Sequence, residues 1–320
     1  ASEADQPIGE RELSRLRWRC RRGLLENDLF IERFFRRHDQ HLTVGHADGL
    51  QRALQGQVGG QVDLVHANKM GVPVFNAPFS NTRSVAELVI SEVIALSRQL
   101  GDRSREVHAG TWKKVATACY EVRGKTLGIV GYGHIGSQLS VLAEALGMQV
   151  RYHDILPKMA LGNAQPSGSL HELLGTADFV SLHVPDTELT RGMFGAAELA
   201  VMKPGAYLIN ASRGMVVDLA ALRDALERGR LAGAAVDVFP SEPAKAGDVF
   251  DSPLRGLDTV ILTPHIGGST QEAQANIGRE VASSLSAYLG SGSTTGCVTL
   301  PNVDAAPVRG GARIVNVHRN

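Results

Sequence analysis

The apolar run Thr126-Leu127-Gly128-Ile129-Val130 is followed at once by Gly131-Tyr132-Gly133-His134-Ile135-Gly136, and this stretch decides the fold. The run is typical of a buried strand, and a helical pattern follows over residues 137–146. In such a strand, turn and helix, the first glycine permits a tight turn, the second lets the backbone approach a pyrophosphate, and the third lets the helix pack closely. The stretch therefore predicts a dinucleotide site at the start of a helix, with phosphates beside Gly131, Gly133 and Gly136.

An acidic residue stands at the end of the next predicted strand. Residues 149–153 form that strand and Asp154 follows it, close to the spacing of about 20 residues that a dinucleotide fingerprint requires. A carboxylate there accepts hydrogen bonds from ribose hydroxyls and repels a 2′-phosphate, so it favours NAD over NADP. Each feature alone has an ordinary alternative, a glycine-rich turn or an acidic strand end, and their combination favours the NAD site.

Short apolar segments alternate with helical patterns along most of the chain. Residues 84–99 form a predicted helix, because their apolar side chains recur at helical spacing. The alternation predicts an α/β fold, a doubly wound parallel sheet of the Rossmann type with helices on both faces. The predicted strands are residues 126–130, 149–153, 179–183, 206–210, 234–238 and 260–262, preceded by an edge strand at residues 72–75.

Reactive side chains follow the later predicted strands, where open α/β sheets bind their ligands. Arg213 offers a planar fork for a substrate carboxylate, and His265 is the type of residue that can exchange a hydroxyl proton. Glu242 is the carboxylate that would orient this histidine and favour its protonated form. Taken singly, each residue has an ordinary alternative: a surface ion pair for Arg213, a solvated loop charge for Glu242 and a structural turn residue for His265. Together, after a dinucleotide fingerprint, they predict hydride exchange with a 2-hydroxy acid.

The composition excludes several other classes of protein. Lys plus Arg and Asp plus Glu number 33 each, so no net charge favours nucleic acid or an anionic membrane surface. Cys20, Cys119 and Cys297 are far apart and lack metal-site or redox-motif spacing. No apolar run approaches the roughly 20 residues that span a bilayer. We therefore expect a cytoplasmic protein with no metal site, no nucleic-acid partner and no membrane segment.

The first 60 residues differ from the rest of the chain. Residues 11–37 are rich in arginine, and their apolar residues predict two short helices joined near Gly23. This segment resembles the start of the succinate dehydrogenase assembly factors that promote flavin attachment, whose motif falls on Arg22, Gly23 and Glu26. The resemblance implies a succinate dehydrogenase flavoprotein subunit as partner of residues 11–38. A solvated basic helix face and a nucleic-acid surface are the alternatives, and the second is disfavoured by the neutral chain.

From about residue 61 onward, the chain resembles the D-isomer-specific 2-hydroxy-acid dehydrogenases. The stretches that carry the resemblance are residues 74–87, 128–136, 208–214 and 263–274. The resemblance implies NAD as cofactor and a homo-oligomer built on contacts of the nucleotide domain. It assigns Arg213, Glu242 and His265 to catalysis, and Asn81, Arg213 and His265 to the substrate. It assigns to the cofactor Gly131, Gly133, His134, Ile135, Gly136, Asp154, His183, Ala211, Ser212, Arg213, Asp237, His265, Ile266, Gly267 and Gly268.

Within that family, the chain resembles the branch that oxidises 3-phosphoglycerate with NAD, the first step towards serine. We expect a helical segment and junction at residues 1–60 and an NAD domain at residues 81–268. Residues 61–80 plus 269–300 are interpreted as an incomplete flavodoxin-like substrate domain, and residues 301–320 as a linker and the start of a truncated regulatory domain. The two resemblances predict two joined gene segments, through a natural fusion or an error of sequence assembly. Alternative functions are NAD(H) binding without turnover and flavin-attachment activity of residues 11–38.

Overall fold

The computed structural model describes residues 62–243, 245 and 247–306. These residues belong to two compact units, one of residues 78–277 and one that combines residues 62–77 with residues 278–306. The helices predicted within residues 11–37 and the junction that follows them lie outside the described residues. So do residues 307–320 of the segment predicted as linker and regulatory start, residues 301–320.

The described residues form eight α-helices, seven strands and one short 3₁₀ helix at Gly214–Val216. The helices are α1 Leu64–Lys69, α2 Thr82–Arg98, α3 Leu100–His108, α4 His134–Ala145, α5 Leu170–Thr176, α6 Ala196–Val201, α7 Leu219–Glu227 and α8 Gln271–Ser291. The strands are β1 Thr126–Val130, β2 Gln149–His153, β3 Gln165–Pro166, β4 Phe179–Leu182, β5 Tyr207–Asn210, β6 Gly233–Val236 and β7 Val260–Leu262. Within the described chain, no helix is long and apolar enough to cross a bilayer.

The larger unit contains a parallel sheet in the order β3-β2-β1-β4-β5-β6-β7. Strand order reverses between β1 and β4, so the loops that follow these two strands leave the sheet side by side at its carboxyl edge. Apolar residues occur at successive strand positions because both faces are covered: Ile209 packs with α2 and α4, whereas Leu208 packs with α6 and α7. The predicted doubly wound α/β fold is therefore confirmed.

Helix α2 lies on one face of this sheet, and its apolar stripe explains its position. The side chains of Val85, Val89 and Val93 are fully or almost fully buried against α4 and the central strands. The helix begins at Thr82 and ends at Arg98 because Gln99 adopts a left-handed backbone conformation, with φ of 50°. The predicted bounds, residues 84–99, were close to these.

The edge strand predicted at residues 72–75 is wrong. In the smaller unit, Phe75 makes one isolated antiparallel bridge to Cys297, and its ring contacts Tyr288 at 5.8 Å between centroids. Pro73 has no backbone N–H, and the hydroxyl of Thr299 takes the place of a partner strand. This hydroxyl accepts a bond from the Val74 N–H at 2.9 Å and donates one to the Val72 carbonyl at 2.8 Å.

Other predicted bounds differ from the structure by one to three residues. The strand predicted at residues 234–238 ends at Val236, because the next backbone carbonyl, that of Asp237, accepts a bond from the loop residue His265. The strands predicted at residues 179–183 and 206–210 are each one residue shorter. The helix predicted at residues 137–146 begins three residues earlier, at His134, directly after the second glycine of the motif.

Candidate functional site

Gly131 brings together the loops that follow β1 and β4. Its φ of 90° lies in the left-handed region, and a Cβ atom on it would stand 2.5 Å from the backbone oxygen of His183. A side chain at this position is therefore excluded by both conformation and space. At Gly136, a Cβ would meet the carbonyl of Gly131, so the first turn of α4 lies directly on the glycine turn.

The start of α4 leaves its first backbone amides without a side-chain cap. Gly133 occupies the cap position with extended backbone and provides no side-chain acceptor. The amides of the first helical turn, at His134, Ile135 and Gly136, therefore have no partner within the helix and carry the positive end of its dipole. The ring of Phe79 packs on that of His134, with 3.9 Å between centroids, and borders this amide cluster.

Asp154 is tied to the glycine turn. Its Oδ2 accepts a bond from the Tyr132 N–H at 2.8 Å, and its Oδ1 accepts one from the Leu156 N–H at 2.9 Å. The rings of Tyr132 and Tyr152 stack beneath, 3.9 Å apart between centroids. The predicted ribose-binding carboxylate therefore lies beside the predicted phosphate-binding amides, as a dinucleotide site requires.

His183 follows β4 and stands against Gly131. Its Nε2 is 2.8 Å from the Ser181 hydroxyl, and among the described residues its buried Nδ1 has no hydrogen-bond partner. Burial lowers the pKa of His183 to about 4, so the ring is neutral near pH 7. A neutral ring with one unused nitrogen at the strand switch point can provide a single directed polar contact to a ligand.

The turn after β5 is fixed by Asn210, which the sequence reasoning did not select. Its Oδ1 accepts bonds from the N–H and the hydroxyl of Ser212, at 3.1 and 2.8 Å, and its amide donates to the Arg213 carbonyl at 3.1 Å. Gly214 lets the turn pass close to the backbone of Phe239, which a Cβ at this position would overlap. The turn presents Arg213 at the surface, directly after Ala211 and Ser212. A polar residue closing an otherwise apolar strand was the available signal for Asn210.

Asp237 fastens the loop that follows β7. This carboxylate is 2% exposed, and it accepts a bond from the Thr263 hydroxyl at 2.6 Å and bonds from the N–H groups of Ile266 and Gly267 at 2.8 Å each. Gly267 is needed for this, because a Cβ on it would stand 3.0 Å from Asp237 Oδ2. Three donors on one buried carboxylate make a rigid attachment for the segment that carries His265.

His265 projects from this loop in a left-handed backbone conformation, with φ of 55°. Its N–H donates to the Asp237 carbonyl at 2.8 Å, which holds the strained residue in place. Its Nδ1 lies 2.8 Å from Oε2 of Glu242, and Oε1 of Glu242 accepts a bond from the Phe239 N–H at 3.0 Å. The glutamate thus fixes the orientation of the imidazole and leaves Nε2 as its other functional atom.

Glu242 is negatively charged at neutral pH. Burial alone would raise its pKa, but the hydrogen bonds from His265 and the Phe239 N–H, with the positive charges of His265 and Arg213, outweigh burial and lower the pKa. The charge of Arg213 also lowers the pKa of Asp186, although the Arg191 guanidinium is the main cause there. The structure therefore brings the predicted Arg213, Glu242 and His265 into one electrostatic cluster.

The predicted residues form two groups along one edge of the sheet. The first follows β1, β2 and β4 and holds the glycine turn, Asp154 and His183; the second follows β5, β6 and β7 and holds Arg213, Asp237, Glu242 and His265. The predicted substrate residue Asn81 reaches the second group, because a Cβ on Gly268 would meet its side-chain nitrogen at 2.8 Å. The sequence reasoning missed Glu92, a buried glutamate whose pKa is raised by burial and by repulsion from Asp237.

Known proteins are similar to this chain in sequence. Residues 90–267 match the family described as D-isomer specific 2-hydroxyacid dehydrogenase, NAD binding domain. D-3-phosphoglycerate dehydrogenase 2 of Saccharomyces cerevisiae is 56% identical over 272 residues, which cover 81% of this chain and 58% of that protein. The D-3-phosphoglycerate dehydrogenase of Escherichia coli is 57% identical over 260 residues, covering 81% and 63%. The chain thus spans about 60% of the length of these curated relatives.

Solved structures agree with the fold. A D-lactate dehydrogenase from Aquifex aeolicus, complexed with NAD and lactic acid, superposes with a TM-score of 0.67 at 30% identity, covering 76% of this chain and 78% of that one. An NAD-dependent formate dehydrogenase from Staphylococcus aureus, in complex with NAD, gives the same TM-score and identity, covering 73% and 70%.

Residues 14–59 match a second family, described as flavinator of succinate dehydrogenase, which agrees with the resemblance of the arginine-rich segment. That match lies outside the described residues and before the sheet. The first family match spans more than half of the chain and contains the glycine turn, Asp154, the β5 turn and the Glu242–His265 pair. The chain belongs to the D-isomer specific 2-hydroxyacid dehydrogenase family.

Proposed function

We propose that the chain is an NAD-dependent dehydrogenase that interconverts 3-phosphoglycerate and 3-phosphohydroxypyruvate. The observation that carries the catalytic part of this proposal is the 2.8 Å contact between His265 Nδ1 and Glu242 Oε2, at the edge of a dinucleotide-binding sheet. The names of relatives at 56–57% identity support the phosphorylated three-carbon substrate. Their incomplete coverage makes this substrate the part that most needs a test.

The described residues fit NAD. A Cβ on Gly133 would meet no protein atom within 4 Å, so the turn is open there to a pyrophosphate, whose oxygens the uncapped amides of His134, Ile135 and Gly136 would bind. Asp154 would accept bonds from the adenosine ribose and disfavour a 2′-phosphate. The family assigns His183 to the cofactor, and it assigns Ala211, Ser212, Arg213 and Asp237 to the nicotinamide side, closed by the loop of His265, Ile266, Gly267 and Gly268. NAD, when bound, supplies the acceptor for a hydride.

The side chains after β5 to β7 would act on the substrate. Arg213 would hold the carboxylate and polarise the oxygen on carbon 2, aided by Asn81. During oxidation, His265 Nε2 takes the hydroxyl proton while the hydride leaves carbon 2; during reduction, the same nitrogen returns the proton. Glu242 stabilises the imidazolium that forms, through its bond to Nδ1. This division of roles balances one proton on the protein against one hydride on the cofactor.

The test is NADH oxidation by the full chain with 3-phosphohydroxypyruvate, followed at 340 nm. Unphosphorylated hydroxypyruvate and pyruvate are the comparison substrates, and the His265→Ala variant is the control for contaminating enzymes. Turnover that prefers the phosphorylated substrate and disappears in the control supports the proposal. Turnover without that preference overturns the substrate assignment. NADH binding without any turnover would leave the alternative function, a cofactor-binding protein.

We also propose that the chain forms a homo-oligomer in the cytoplasm. Helix α3 and the segment after it expose large apolar side chains, among them Leu100, Val107, Trp112 and Tyr120, of which Trp112 is 83% exposed. Exposed apolar side chains that recur within one short segment support an interface there. Light scattering of the native chain and of Trp112→Ser tests this proposal: a monomeric native chain would contradict it. Cys119 and Cys297 are free, as a reducing compartment requires.

A second candidate function rests on the match of residues 14–59 to the flavinator family. We propose that residues 11–38 bind a succinate dehydrogenase flavoprotein subunit. The test is co-purification of that subunit with the full chain and with the Gly23→Arg variant, in which a bulky cation replaces the motif glycine. Equal recovery with both chains, or none with the native chain, would contradict a specific interaction.

The expected domain plan also remains a proposal. We propose that residues 61–80 with 269–300 are part of a substrate-binding domain and that residues 81–268 bind the cofactor. The compact units, which divide after Ala77 and after Ile277, support boundaries near these positions. Limited proteolysis with and without NADH tests the plan, since cofactor binding should protect sites within residues 81–268 more than sites outside them.

A further inference from the structure

Glu92 is an acidic residue in the apolar core of the larger unit. It lies in α2, is 3% exposed, and its side-chain oxygens have no hydrogen-bond partner among the described residues. An ionised carboxylate without donors is strongly disfavoured in such a place, whereas a protonated one is tolerated. The mechanism proposed above makes no use of this group, so its presence in the core requires another explanation.

Helix α2 packs against the loop that Asp237 holds. A Cβ on Gly267 would stand 3.4 Å from Val85 Cγ2 and 3.6 Å from Leu88 Cδ2, so the loop lies on the first turns of this helix. Glu92 is one turn beyond Leu88 and therefore on the same side of α2. The buried glutamate, the Asp237 carboxylate and the loop of His265 thus lie along one face of one helix.

The two carboxyl groups have opposite surroundings. Asp237 accepts three bonds, from Thr263, Ile266 and Gly267, and hydrogen-bond donors favour the charged form of a carboxyl group. Glu92 has no donor, and burial, followed by repulsion from Asp237, raises its pKa to about 8. At neutral pH the two acids therefore carry one negative charge between them. The charge lies on Asp237, because Asp237 has hydrogen-bond donors and Glu92 has none.

No other charged group near Glu92 competes for this role among the described residues. Strands β6 and β7 contain no ionisable side chain, β5 contains only Tyr207, and the residues that α4 buries are uncharged. The charged side chains of α3 form ion pairs with one another and with Lys113 and Asp258. Asp237 is the charged group that acts on Glu92.

We propose that Glu92 is a positioning residue that acts through Asp237: as a neutral acid it leaves the charge on Asp237, which then holds the loop of His265 in its strained conformation. When Glu92 ionises, its charge repels that of Asp237, and the hold on Thr263, Ile266 and Gly267 weakens. The loop of His265 therefore becomes less ordered at alkaline pH, and this effect is separate from the titration of the catalytic residues.

The inference can be tested without turnover. Because the pKa of Glu92 is raised on folding, its contribution to stability is fully present below 4.5, its ordinary value, and is lost as the pH rises through about 8. The test compares melting temperatures from pH 6 to pH 9 for the full native chain and the Glu92→Gln variant, whose amide stays neutral. We expect the native melting temperature to fall by about 3 °C or more relative to Glu92→Gln over this range.

Two further variants make the comparison specific. Glu87→Gln changes an exposed glutamate of the same helix, which pairs with Arg83, and should reproduce the native pH dependence. Glu92→Met gives a neutral, apolar side chain of similar length if the glutamine variant folds poorly. Parallel melting curves of the native chain and both Glu92 variants would overturn the proposal, because no buried acid would then be titrating.

The link to the loop rests on the proposed function and is measured by NADH binding. Between pH 6.5 and pH 9 we expect the NADH dissociation constant of the native chain to rise about fivefold more than that of Glu92→Gln, because ionisation and binding are reciprocally coupled. Equal rises in the two chains, with different melting curves, would show a buried acid that does not act on the loop. If NADH binds neither chain, the proposed function fails, and the melting curves still decide whether Glu92 is a neutral buried acid.

Discussion

The carboxyl edge of the sheet is built in two ways. The cradle half, comprising the glycine turn 131–136, Asp154 and His183, is shaped by the absence of side chains: Cβ atoms at Gly131 or Gly136 would overlap backbone. The clasp half, comprising residues 210–214, Asp237, Glu242 and 263–268, is shaped by side chains that bond to backbone amides. The cradle should therefore fail through added volume, and the clasp through lost charge or hydrogen bonds.

The largest expected effect separates chemistry from binding. We expect His265→Ala to lower kcat by about 1,000-fold, because general acid–base catalysis contributes factors of this order. The NADH dissociation constant should change by less than about threefold, since the cradle half is untouched. Stopped-flow reduction assays and fluorescence titration measure the two quantities. His171→Ala, at an exposed position on α5, is the control and should leave both unchanged. Equal losses of binding and rate would contradict the separation of the two halves.

A methyl group added to the cradle should act in the opposite way. In Gly131→Ala, the new Cβ would stand 2.5 Å from the His183 oxygen in a left-handed conformation, so we expect NADH binding to weaken by about 10- to 100-fold. Isothermal titration checks this. Gly175→Ala, where a Cβ meets nothing within 4 Å, is the matched control and should bind NADH as the native chain does. Native affinity in Gly131→Ala would show that the turn can move aside.

The charge within the cradle sets the choice between cofactors. Asp154→Gly should reduce the preference for NADH over NADPH by about tenfold, because the carboxylate that would repel a 2′-phosphate is gone. Dissociation constants for both cofactors give the ratio. Asp251→Gly removes a 91% exposed carboxylate and should leave the ratio unchanged. An unaltered ratio in Asp154→Gly would mean that the selection lies elsewhere.

The smallest expected effect concerns pH and the clasp half. Because the pKa of Glu242 is lowered from its ordinary value of 4.5, this carboxylate contributes stability above that value and loses its contribution as the pH falls through the lower folded pKa. Glu242→Gln should therefore melt about 1–2 °C below the native chain at pH 7, and the gap should narrow as the pH falls below 4.5. Its partial exposure keeps the effect small. A gap that is constant with pH would exclude an electrostatic origin.

The sequence predicts the cradle half better than the clasp half because the two depend on information at different ranges. Strands β1 and β2 were predicted at their observed bounds, since a buried strand, a glycine turn and a helix are all encoded within about 30 residues. Arg213, Glu242 and His265 were predicted as chemical types. That His265 would meet Glu242 at 2.8 Å depends on the packing of three strand ends, which no local pattern contains.

Two omissions had different causes. Asn210 bonds to its own turn, and it could have been chosen as the polar end of an apolar strand. Glu92 lies at helical spacing from Val85, Val89 and Leu96, so the apolar stripe already pointed to a buried acid. Its neighbour in space, Asp237, is far away in sequence, and only the fold shows that the two acids share one charge.

In the smaller unit, the Thr299 hydroxyl bonds to Val72 and Val74, which lie 227 and 225 positions before it in the sequence. During synthesis, residues 62–77 of that unit are therefore made well before the residues that complete it. At roughly 5–20 residues per second, the interval between Val72 and Thr299 lasts about 10–45 s, and most of it is taken by synthesis of the larger unit. The smaller unit is therefore completed after the larger one, although its residues 62–77 are synthesised earlier.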